Sequence, residues 1–396
     1  MTGFSKEDFF ADLDTMIGRG VKPGLERMRA ATSQLKLHFP QQRLIHLAGT
    51  NGKGSTTLFL SQMLASHGKS VGLTLSPHVD DFRERIQFLS PSGSLQFIAW
   101  EDLIEIHLEL KQALDLECTY YEWVILLAMR YFCKQDFDFV VLETGLGGRL
   151  DATNVWDAGL AAITTVGLDH MAYLGDTHAK ILSEKLCIAK PGSRLLFAPQ
   201  DQNLVEQAQE YCAQNQVSFK ALAAGQDASY LDHNFRLARE LCQMILGEEF
   251  NASLVSPKRS DHNWVLPPAR FEKISTDPLV IRDGAHNEQG LKSLRQKMLS
   301  EWGENYDLVF SCLSDRDPLS LVPLIQGKGR CFWVEFDAEG RGTARAVWDK
   351  VQRQYGGKVL ELNEELLMTL QEQKSKPILV CGSLYFCGAF LSLWQR

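Results

Sequence analysis

The chain has 396 residues, 45% hydrophobic and 23% charged, a balance typical of a globular protein with two or three domains. Its formal net charge of −8 argues against a binder of nucleic acid or anionic membranes, since such proteins need a dominant positive field. The nine cysteines form no C-x-x-C pair, which argues against a disulfide framework and a zinc site. We see no secretory signal and no run of roughly 20 apolar residues, so we expect a cytoplasmic protein.

Short apolar runs alternate with helix-length amphipathic stretches in the N-terminal part of the chain. We predict, in order, strand Leu44–Ala48, a loop to Gly54, helix Ser55–His67, strand Ser70–Leu75, helices Glu101–Leu114 and Tyr121–Cys133, strands Phe139–Glu143 and Leu160–Val166, and helix Lys180–Ala189. Strands that are apolar along their whole length and are separated by helices indicate a parallel, doubly wound sheet.

A second series of strands and helices follows the polar, proline-bearing stretch Ser256–Pro268. Its predicted strands and last helix are Leu279–Asp283, Asp307–Ser311, Cys331–Phe336, Val359–Leu362, Pro377–Cys381 and Leu384–Trp394. We therefore predict two α/β domains, residues 1–265 and a smaller domain of residues 266–396.

The strongest local motif is GTNGKGST, residues 49–56, between a predicted strand and a predicted helix. Glycines let backbone N–H groups close around phosphate oxygens, and the helix N-terminus adds its dipole. Lys53 would reach the terminal phosphates as a point charge. The spacing differs from the usual G-x-x-x-x-G-K-[ST], and a glycine turn with a helix cap at Ser55 or Thr56 is the alternative. The position after a buried strand favours phosphate binding.

Phosphate transfer needs a divalent cation, and Glu143 is suited to bind one. It ends a predicted strand, where doubly wound sheets form ligand sites, and it opens the sequence ETGLGGRLDATN. A turn with an ordinary Arg–Asp pair is the alternative. His170 follows a strand-like segment and is either structural or functional. From the residues alone, Lys185 is most simply a solvated side chain or a partner of Glu184 or Glu143.

In the second domain the sequence DGAHN, residues 283–287, follows a predicted strand and precedes a helix. Asp283, His286 and Asn287 are suited to orient a ribose or a base edge, and a helix N-cap is the alternative. Arg270, in the sequence PARF, is suited to bind phosphate.

Taken together, these segments resemble the folylpolyglutamate synthase/dihydrofolate synthase family, the folate branch of the Mur ligases. The resemblance runs in the family's order through most of the chain. Its segments are PGLERM (23–28), GTNGKGST (49–56), SPHVDDFRER (76–85), TYYE (119–122), ETGLGGRLDATN (143–154), LDH (168–170), EK (184–185), ARF (269–271), DGAHN (283–287) and CGSLY (381–385).

The resemblance implies an N-terminal P-loop ATPase domain with a mostly parallel, doubly wound sheet and a smaller, C-terminal Rossmann-like domain, with ATP held between them. ATP would phosphorylate the carboxylate of dihydropteroate or of a glutamate already on a reduced folate. The amine of L-glutamate would then attack the acyl phosphate, which domain closure would shield from water. We expect a monomer that binds these small molecules and has no nucleic-acid or membrane partner.

The resemblance also assigns residues to roles. The triphosphate would be held by Gly52, Lys53, Gly54 and Ser55. Magnesium, at two sites, would be held by Ser76, Glu143, His170 and Lys185. Further contacts with ATP would come from Asn234, Arg270 and Asp283. The pterin and carboxylate pocket would be lined by Thr119, Tyr120, Tyr121, Glu122, Leu150 and Asp151.

Three of these residues would be catalytic by the same resemblance: Lys53, His170 and Lys185. Lys185 matches the family lysine that reacts with carbon dioxide to form a carbamate. That modification turns a cation into an oxygen ligand, which explains a lysine where a second metal is needed.

Three alternatives to a bifunctional enzyme remain. The first is a folylpolyglutamate synthase with that activity alone. The second is a cell-wall Mur ligase, but the P-loop motif begins at residue 49 and leaves no room for the N-terminal nucleotide-sugar domain of those enzymes. The third is a non-catalytic nucleotide-binding paralogue, which we would expect to lose the metal and lysine positions that are present here.

Overall fold

The computed structural model describes residues 3–20, 22–198, 201–223, 225, 229–256, 264–338, 340–372 and 376–395. The chain divides into two compact units, Met1–Leu266 and Pro267–Arg396. Residues 257–263, in the polar stretch at the predicted boundary, lie outside the described residues. Among the described residues, none of the helices combines the length and apolar character needed to cross a lipid bilayer.

The first unit is built on an eight-stranded sheet. Its strands are β1 (Leu44–Ala48), β2 (Val71–Thr74), β3 (Gln87–Leu89), β4 (Leu95–Phe97), β5 (Phe139–Glu143), β6 (Ala158–Ile163), β7 (Ala189–Phe197) and β8 (Ser218–Ala221). Their order is β4-β3-β2-β5-β1-β6-β7-β8, with β3 and β4 antiparallel to their neighbours and the other pairs parallel. Every residue of the central strand β1 is buried, as expected of a strand covered on both faces.

Helices cover both faces of this sheet. They are α1 (Lys6–Ile17), α2 (Glu26–Gln34), α3 (Lys53–Ser66), α4 (Trp100–Ala113), α5 (Tyr120–Gln135), α6 (Met171–Leu174), α7 (His178–Leu186), α8 (Gln202–Gln214) and α9 (Tyr230–Leu246). On one face α3 and α9 pack with Ile45 and Leu47 of β1, and on the other α4 and α5 pack with Leu44. Because successive side chains of a strand point to opposite faces of the sheet, β1 contributes to a hydrophobic cluster on each face.

The second unit is a smaller α/β fold with a six-stranded sheet. Its strands are β9 (Glu272–Thr276), β10 (Leu279–Asp283), β11 (Asp307–Phe310), β12 (Cys331–Glu335), β13 (Lys358–Glu361) and β14 (Ile378–Cys381). Its helices are α10 (Glu288–Trp302), α11 (Pro318–Ile325), α12 (Arg345–Tyr355), α13 (Glu364–Gln371) and α14 (Leu384–Trp394). The order is β13-β12-β11-β14-β10-β9, and among the described strands of this sheet only the edge strand β9 is antiparallel to its neighbour.

The structure corrects several predicted bounds, of which three illustrate why. The first long helix begins at Lys53 rather than Ser55, because Gly52 adopts a left-handed φ of 87° and turns the chain directly into α3. The strand predicted over residues 160–166 ends at Ile163, since the following residues leave the sheet and bond to the loop after β1. The helix predicted over residues 180–189 ends at Leu186, and β7 begins only three residues later.

Candidate active site

The loop of residues 49–52 joins the carboxyl end of β1 to α3 and is held by the segment that follows β6. The Thr50 N–H donates to Thr165 O at 2.7 Å, and the Asn51 N–H donates to Thr165 Oγ1 at 2.9 Å. Thr164 Oγ1 donates to Asn51 O at 2.6 Å. A Cβ atom at position 49 would lie 1.8 Å from Thr164 Oγ1, so only glycine fits there. The glycine motif gave no indication of these two threonines.

Asn234 of α9 packs directly against the same loop. Gly52 has a left-handed φ, and a Cβ atom there would lie 2.5 Å from Asn234 Oδ1. Asn234 is 3% exposed, and its Nδ2 has no hydrogen-bond partner among the described residues. A buried donor without a partner is destabilising by about 1–3 kcal/mol. The structure therefore brings together two predicted nucleotide-binding residues and leaves one of them with an unused donor.

The first turn of α3 carries the remaining residues predicted to bind phosphate. Lys53 Nζ donates to Gly49 O at 2.9 Å, so the ammonium lies over the loop. The hydroxyls of Ser55 and Thr56 are fully buried and have no hydrogen-bond partner within the described part of the chain. Gly54 is buried beside them. Unused donors at a helix N-terminus fit an anion such as phosphate, which would supply the missing acceptors.

Glu143 and Ser76 meet at the carboxyl ends of neighbouring strands. Glu143 ends β5, is 5% exposed, and accepts the Ser76 N–H at 3.0 Å through Oε2. Ser76 Oγ is buried without a hydrogen-bond partner among the described residues. A carboxylate and a hydroxyl are oxygen ligands of the kind that Mg²⁺ prefers. Among the described residues, no group of three or more His, Cys, Asp or Glu side chains is placed to hold a metal ion.

The loop that carries Ser76 is organised by Glu84. Its carboxylate accepts the backbone N–H groups of Val79 at 2.8 Å, Asp80 at 2.9 Å and Asp81 at 2.8 Å. Glu84 is 4% exposed, and burial raises its pKa. The sequence motif contains this residue, but nothing in the pattern alone indicated that it would hold three amides.

His170 lies at the N-cap of α6 with a left-handed φ of 49°. Its backbone N–H donates to Asp169 Oδ1 at 2.8 Å, and its Nε2 lies 3.8 Å from the same oxygen. The side chain is 42% exposed, so the ring remains accessible. Metal binding by His170 stays a prediction.

Lys185 is buried in α7, and this contradicts its interpretation as a solvated side chain. It is 2% exposed, and Glu184 is bonded instead to Arg149, with 2.9 Å between the charged groups. No hydrogen bond or ion pair joins Lys185 Nζ to any other described residue. Burial, and then the nearby charge of Lys53, lowers the pKa of Lys185 from 10.5 to about 7. A large share of the amine is therefore uncharged at neutral pH.

This burial predicts how a Lys185→Met variant will differ in stability from the parent. Below pH 7 the lysine is charged in both the folded and the unfolded protein, so the whole free-energy cost of burying the charge opposes folding. As the pH rises from 7 to 10.5 the folded state has lost the proton and the unfolded state keeps it, so the cost declines. We expect Lys185→Met to be more stable by roughly 3–5 kcal/mol at pH 6 and by much less at pH 10. Urea unfolding without metal or carbon dioxide measures both differences.

Lys180 provides the matched control for this measurement. It lies on the same helix, its side chain is 64% exposed, and it is paired with Asp176. Lys180→Met should change the free energy of unfolding by less than about 1 kcal/mol at either pH. An equal effect of both substitutions would contradict the cost assigned to burying the charge of Lys185.

Thr119 and Glu122 form a capping box at the start of α5. The Glu122 carboxylate accepts the Thr119 N–H at 2.7 Å, and the Glu122 N–H donates to Thr119 Oγ1 at 3.3 Å. Arg27 Nε donates to the same carboxylate at 3.1 Å. These hydrogen bonds cap the start of α5 and join it to α2. Contact of Thr119 or Glu122 with substrate stays a prediction.

The other predicted substrate residues lie around the glycine-rich loop after β5. The hydroxyl of Tyr121 lies 3.4 Å from Glu143 O, and burial raises the pKa of this phenol. Tyr120 is half-buried, with the Arg85 guanidinium 5.5 Å from its ring centre. Leu150 is 37% exposed. The structure therefore brings Tyr121 close to the predicted metal ligand Glu143.

Asp151 accepts several hydrogen bonds inside this loop. It is 5% exposed, and Oδ2 accepts the Leu146 N–H at 2.8 Å while Oδ1 accepts the Thr153 N–H at 3.0 Å. Burial raises the pKa of the carboxyl. The residue therefore closes the loop on itself and fixes its shape.

In the second unit, Asp283 and Asn287 shape the turn after β10. Asp283 accepts the N–H groups of Phe271 and Ala285, each at 2.8 Å. Asn287 is the N-cap of α10, which confirms the alternative considered for this residue. Arg270 is half-buried, and its Nη1 donates to the carbonyl oxygen of Ala269 at 3.2 Å. Contact of Arg270 or Asp283 with ATP stays a prediction.

Comparison with other proteins shows similarity over most of the chain. Residues 47–251 match the Mur ligase middle domain family. The dihydrofolate synthase/folylpolyglutamate synthase of Bacillus subtilis (strain 168) is 29% identical over 405 residues, covering 93% of this chain and 94% of that protein. The protein of the same name from Haemophilus influenzae is 30% identical over 315 residues, covering 69% of each.

The fold is also found in a solved structure. E. coli FolC in complex with DHPP and ADP superposes with a TM-score of 0.85, covering 98% of this chain and 97% of that one at 23% identity. At this level of identity the likeness concerns the fold alone. It confirms the predicted α/β fold class.

Proposed function

We propose that this chain, which belongs to the folylpolyglutamate synthase/dihydrofolate synthase family of Mur ligases, adds L-glutamate to dihydropteroate and to reduced folates at the expense of ATP. It is an ATP-dependent acid–amino-acid ligase. The observation that carries the proposal is the similarity to named synthases along nearly the whole chain. The unused donors of Ser55, Thr56 and Asn234, which surround the loop after β1, support it independently, because they fit a phosphate group.

A carboxylate is a poor electrophile, so the reaction must first give it a leaving group. The carboxylate oxygen attacks the γ-phosphorus of ATP, the bond to ADP breaks, and an acyl phosphate forms. The amine of glutamate then attacks the acyl carbon, loses a proton, and expels inorganic phosphate to leave the amide. Lys53, beside the loop, is proposed to stabilise the charge that builds up on the transferred phosphate.

The proposed nucleotide and metal ligands are those that the family resemblance implies, and the donor sets described above support several of them. Gly52, Gly54 and Ser55 would bind the phosphates, with Asn234 supplying its unused amide donor. Ser76 and Glu143 would hold Mg²⁺, which would neutralise negative charge on the phosphates. We assign His170 and Lys185 to a second metal position and Arg270 and Asp283 to the nucleotide.

We further propose that Lys185 reacts with carbon dioxide to form a carbamate. The uncharged amine attacks the carbon, one proton leaves, and a negatively charged group with two oxygens results. The low pKa of about 7 supports this step, because only the neutral amine is nucleophilic. Burial beside Lys53 supports it as well, since a carbamate would pair with that cation where a second ammonium is repelled.

The pterin and carboxylate side of the site is assigned to the start of α5 and the loop after β5. The residues proposed to line it are Thr119, Tyr120, Tyr121, Glu122, Leu150 and Asp151. Tyr121 supports this placement because its ring lies against Gly145 and its hydroxyl lies near Glu143. A monomeric, cytoplasmic enzyme remains part of the proposal.

Glu143→Gln tests the metal assignment. The amide keeps the shape of the side chain and removes its charge, so the magnesium concentration needed for half-maximal activity should rise about tenfold or more. Thermal stability without metal should change little. Titration of activity with MgCl₂ at saturating ATP measures the effect. Superimposable titrations of the variant and the parent would exclude Glu143 as a ligand.

The function itself is tested by incorporation of labelled glutamate. Purified protein is supplied with ATP, Mg²⁺ and either dihydropteroate or a reduced folate, in separate reactions. Labelled product from both supports the bifunctional enzyme, and product from the reduced folate alone supports a folylpolyglutamate synthase. No product from either, with protein that binds ATP, would favour a non-catalytic paralogue and contradict the proposal.

A further inference from the structure

Histidine at position 46 interrupts the otherwise apolar strand β1, whose sequence is LIHLA. The side chain is fully buried, and its Nε2 lies 2.7 Å from Thr153 Oγ1. Burial lowers the pKa of His46 from 6.5 to about 3, so the ring is neutral. A neutral imidazole carries one proton, and the partners of its two nitrogens determine where that proton lies.

The direction of the hydrogen bonds that link His46, Thr153 and Asp151 follows from the Asp151 carboxylate, which can only accept when it is ionised. Asp151 Oδ1 accepts the hydroxyl proton of Thr153 at 2.5 Å. Because that hydroxyl has only one proton, its oxygen must accept from His46, which fixes the ring as the Nε2–H tautomer. Nδ1 then carries a lone pair, and it has no partner among the described residues. His46 therefore donates to Thr153, and Thr153 donates to the Asp151 carboxylate.

A purely structural role does not account for this histidine. A leucine would suit the strand, since Leu44 and Ala48, which point to the same face of the sheet as residue 46, are buried in apolar clusters. The imidazole instead leaves a buried nitrogen without a partner, which is destabilising by about 1–3 kcal/mol. What the imidazole adds is a donor that orients the Thr153 hydroxyl toward Asp151.

We propose that His46 is a positioning residue for the pterin-bearing substrate. Through Thr153 it fixes the Asp151 carboxylate, and Asp151 in turn holds the loop of residues 145–151 by accepting the Leu146 N–H. That loop lies against Tyr121 and directly follows Glu143. The inference rests on the proposed function, because it takes this loop to be the substrate side of the site.

The test compares His46→Leu, Thr153→Val and the double variant with the parent. Each single change breaks the same chain, so each should raise the KM for dihydropteroate about tenfold, with the KM for ATP within about twofold of the parent. The double variant should be no worse than either single variant, because the two residues act as one unit. His46→Gln, whose amide nitrogen can still donate, should recover part of the loss. The dissociation constant for dihydropteroate, measured by calorimetry, should follow the same order.

His107 is the matched control. It is equally buried in the same unit, between Asp12 at 3.0 Å and the Trp123 Nε1 donor at 3.0 Å. His107→Leu should lower the melting temperature and leave the KM for dihydropteroate unchanged. If His46→Leu does not fold, Thr153→Val, which removes one buried hydroxyl, decides the question.

Two results would overturn the inference. One is a folded Thr153→Val or His46→Leu protein with parental affinity for dihydropteroate, and the other is an equal rise in the KM for ATP. If the parent itself incorporates no glutamate, the proposed function fails, and the calorimetric comparison still decides whether the chain positions the pterin site.

Discussion

Replacing Lys53 by alanine is expected to reduce the rate of glutamate ligation by about 100-fold or more in a protein that remains folded. The ammonium lies at the first residue of α3, 2.9 Å from Gly49 O, where it adds to the positive end of the helix. A point charge at the transferred phosphate acts mainly when the bond to ADP is breaking, so kcat should fall more than the affinity for ATP. Steady-state incorporation of labelled glutamate measures kcat and both KM values.

Lys69 gives the control for this substitution. It follows the other end of α3 and pairs with Glu249 at 2.7 Å, so Lys69→Ala removes a charge of the same sign without touching the loop. Its activity should match the parent. A folded Lys53→Ala protein with near-normal ligation would show that GTNGKGST is a glycine turn and helix cap, the alternative left open by the sequence.

Lys185→Ala should be nearly inactive, and Lys185→Arg should be no better. As an ammonium, residue 185 would repel Mg²⁺: charges of +1 and +2 about 5 Å apart are unfavourable by several kcal/mol at an effective dielectric near 20. A carbamate supplies oxygen ligands instead. Activity of the parent should therefore fall when carbon dioxide is stripped from the buffer. It should also fall as the pH drops below about 7, where the amine becomes protonated.

Small carboxylic acids test whether the enzyme needs the two oxygens of a carbamate at position 185. Formate or acetate should partly restore Lys185→Ala, because the truncated side chain leaves room for an added carboxylate, and should not restore Lys53→Ala. Mass spectrometry under carbon dioxide would show the added group directly. A Lys185→Arg enzyme with close to full activity would mean that only a positive charge is required, and it would exclude the carbamate.

The parallel core of the first unit was predictable because its strands are apolar throughout. β1 and β5 have the predicted bounds, since buried runs bounded by glycine or charged residues leave little room for another interpretation. β3 and β4 were not predicted, because three-residue strands in a polar segment carry no periodic signal. β7 contains Pro191 and Gly192, which the pattern treats as breakers, although the chain continues through them.

The site was less predictable than the strands, because its geometry depends on contacts between residues far apart in sequence. The motif GTNGKGST indicated phosphate binding, but the threonines that hold its loop lie more than a hundred residues later. The sequence around Lys185 predicts an exposed side chain, since a lysine beside a glutamate on a helix is usually solvated, and this prediction is wrong. Only the tertiary packing of α7 shows that its amine is enclosed.

The packing of Asn234 against Gly52 has a consequence for the order in which the protein is made. The loop after β1 is held by residues 164 and 165, and it packs against Asn234, which lies 182 positions after Gly52 in the sequence. During synthesis the glycine motif emerges early, but its neighbours have not yet been translated. A ribosome-bound chain that ends before α9 therefore carries the complete motif without its finished surroundings. Because closing so long a loop is entropically unfavourable, we expect this loop to reach its final geometry late in the folding of the unit.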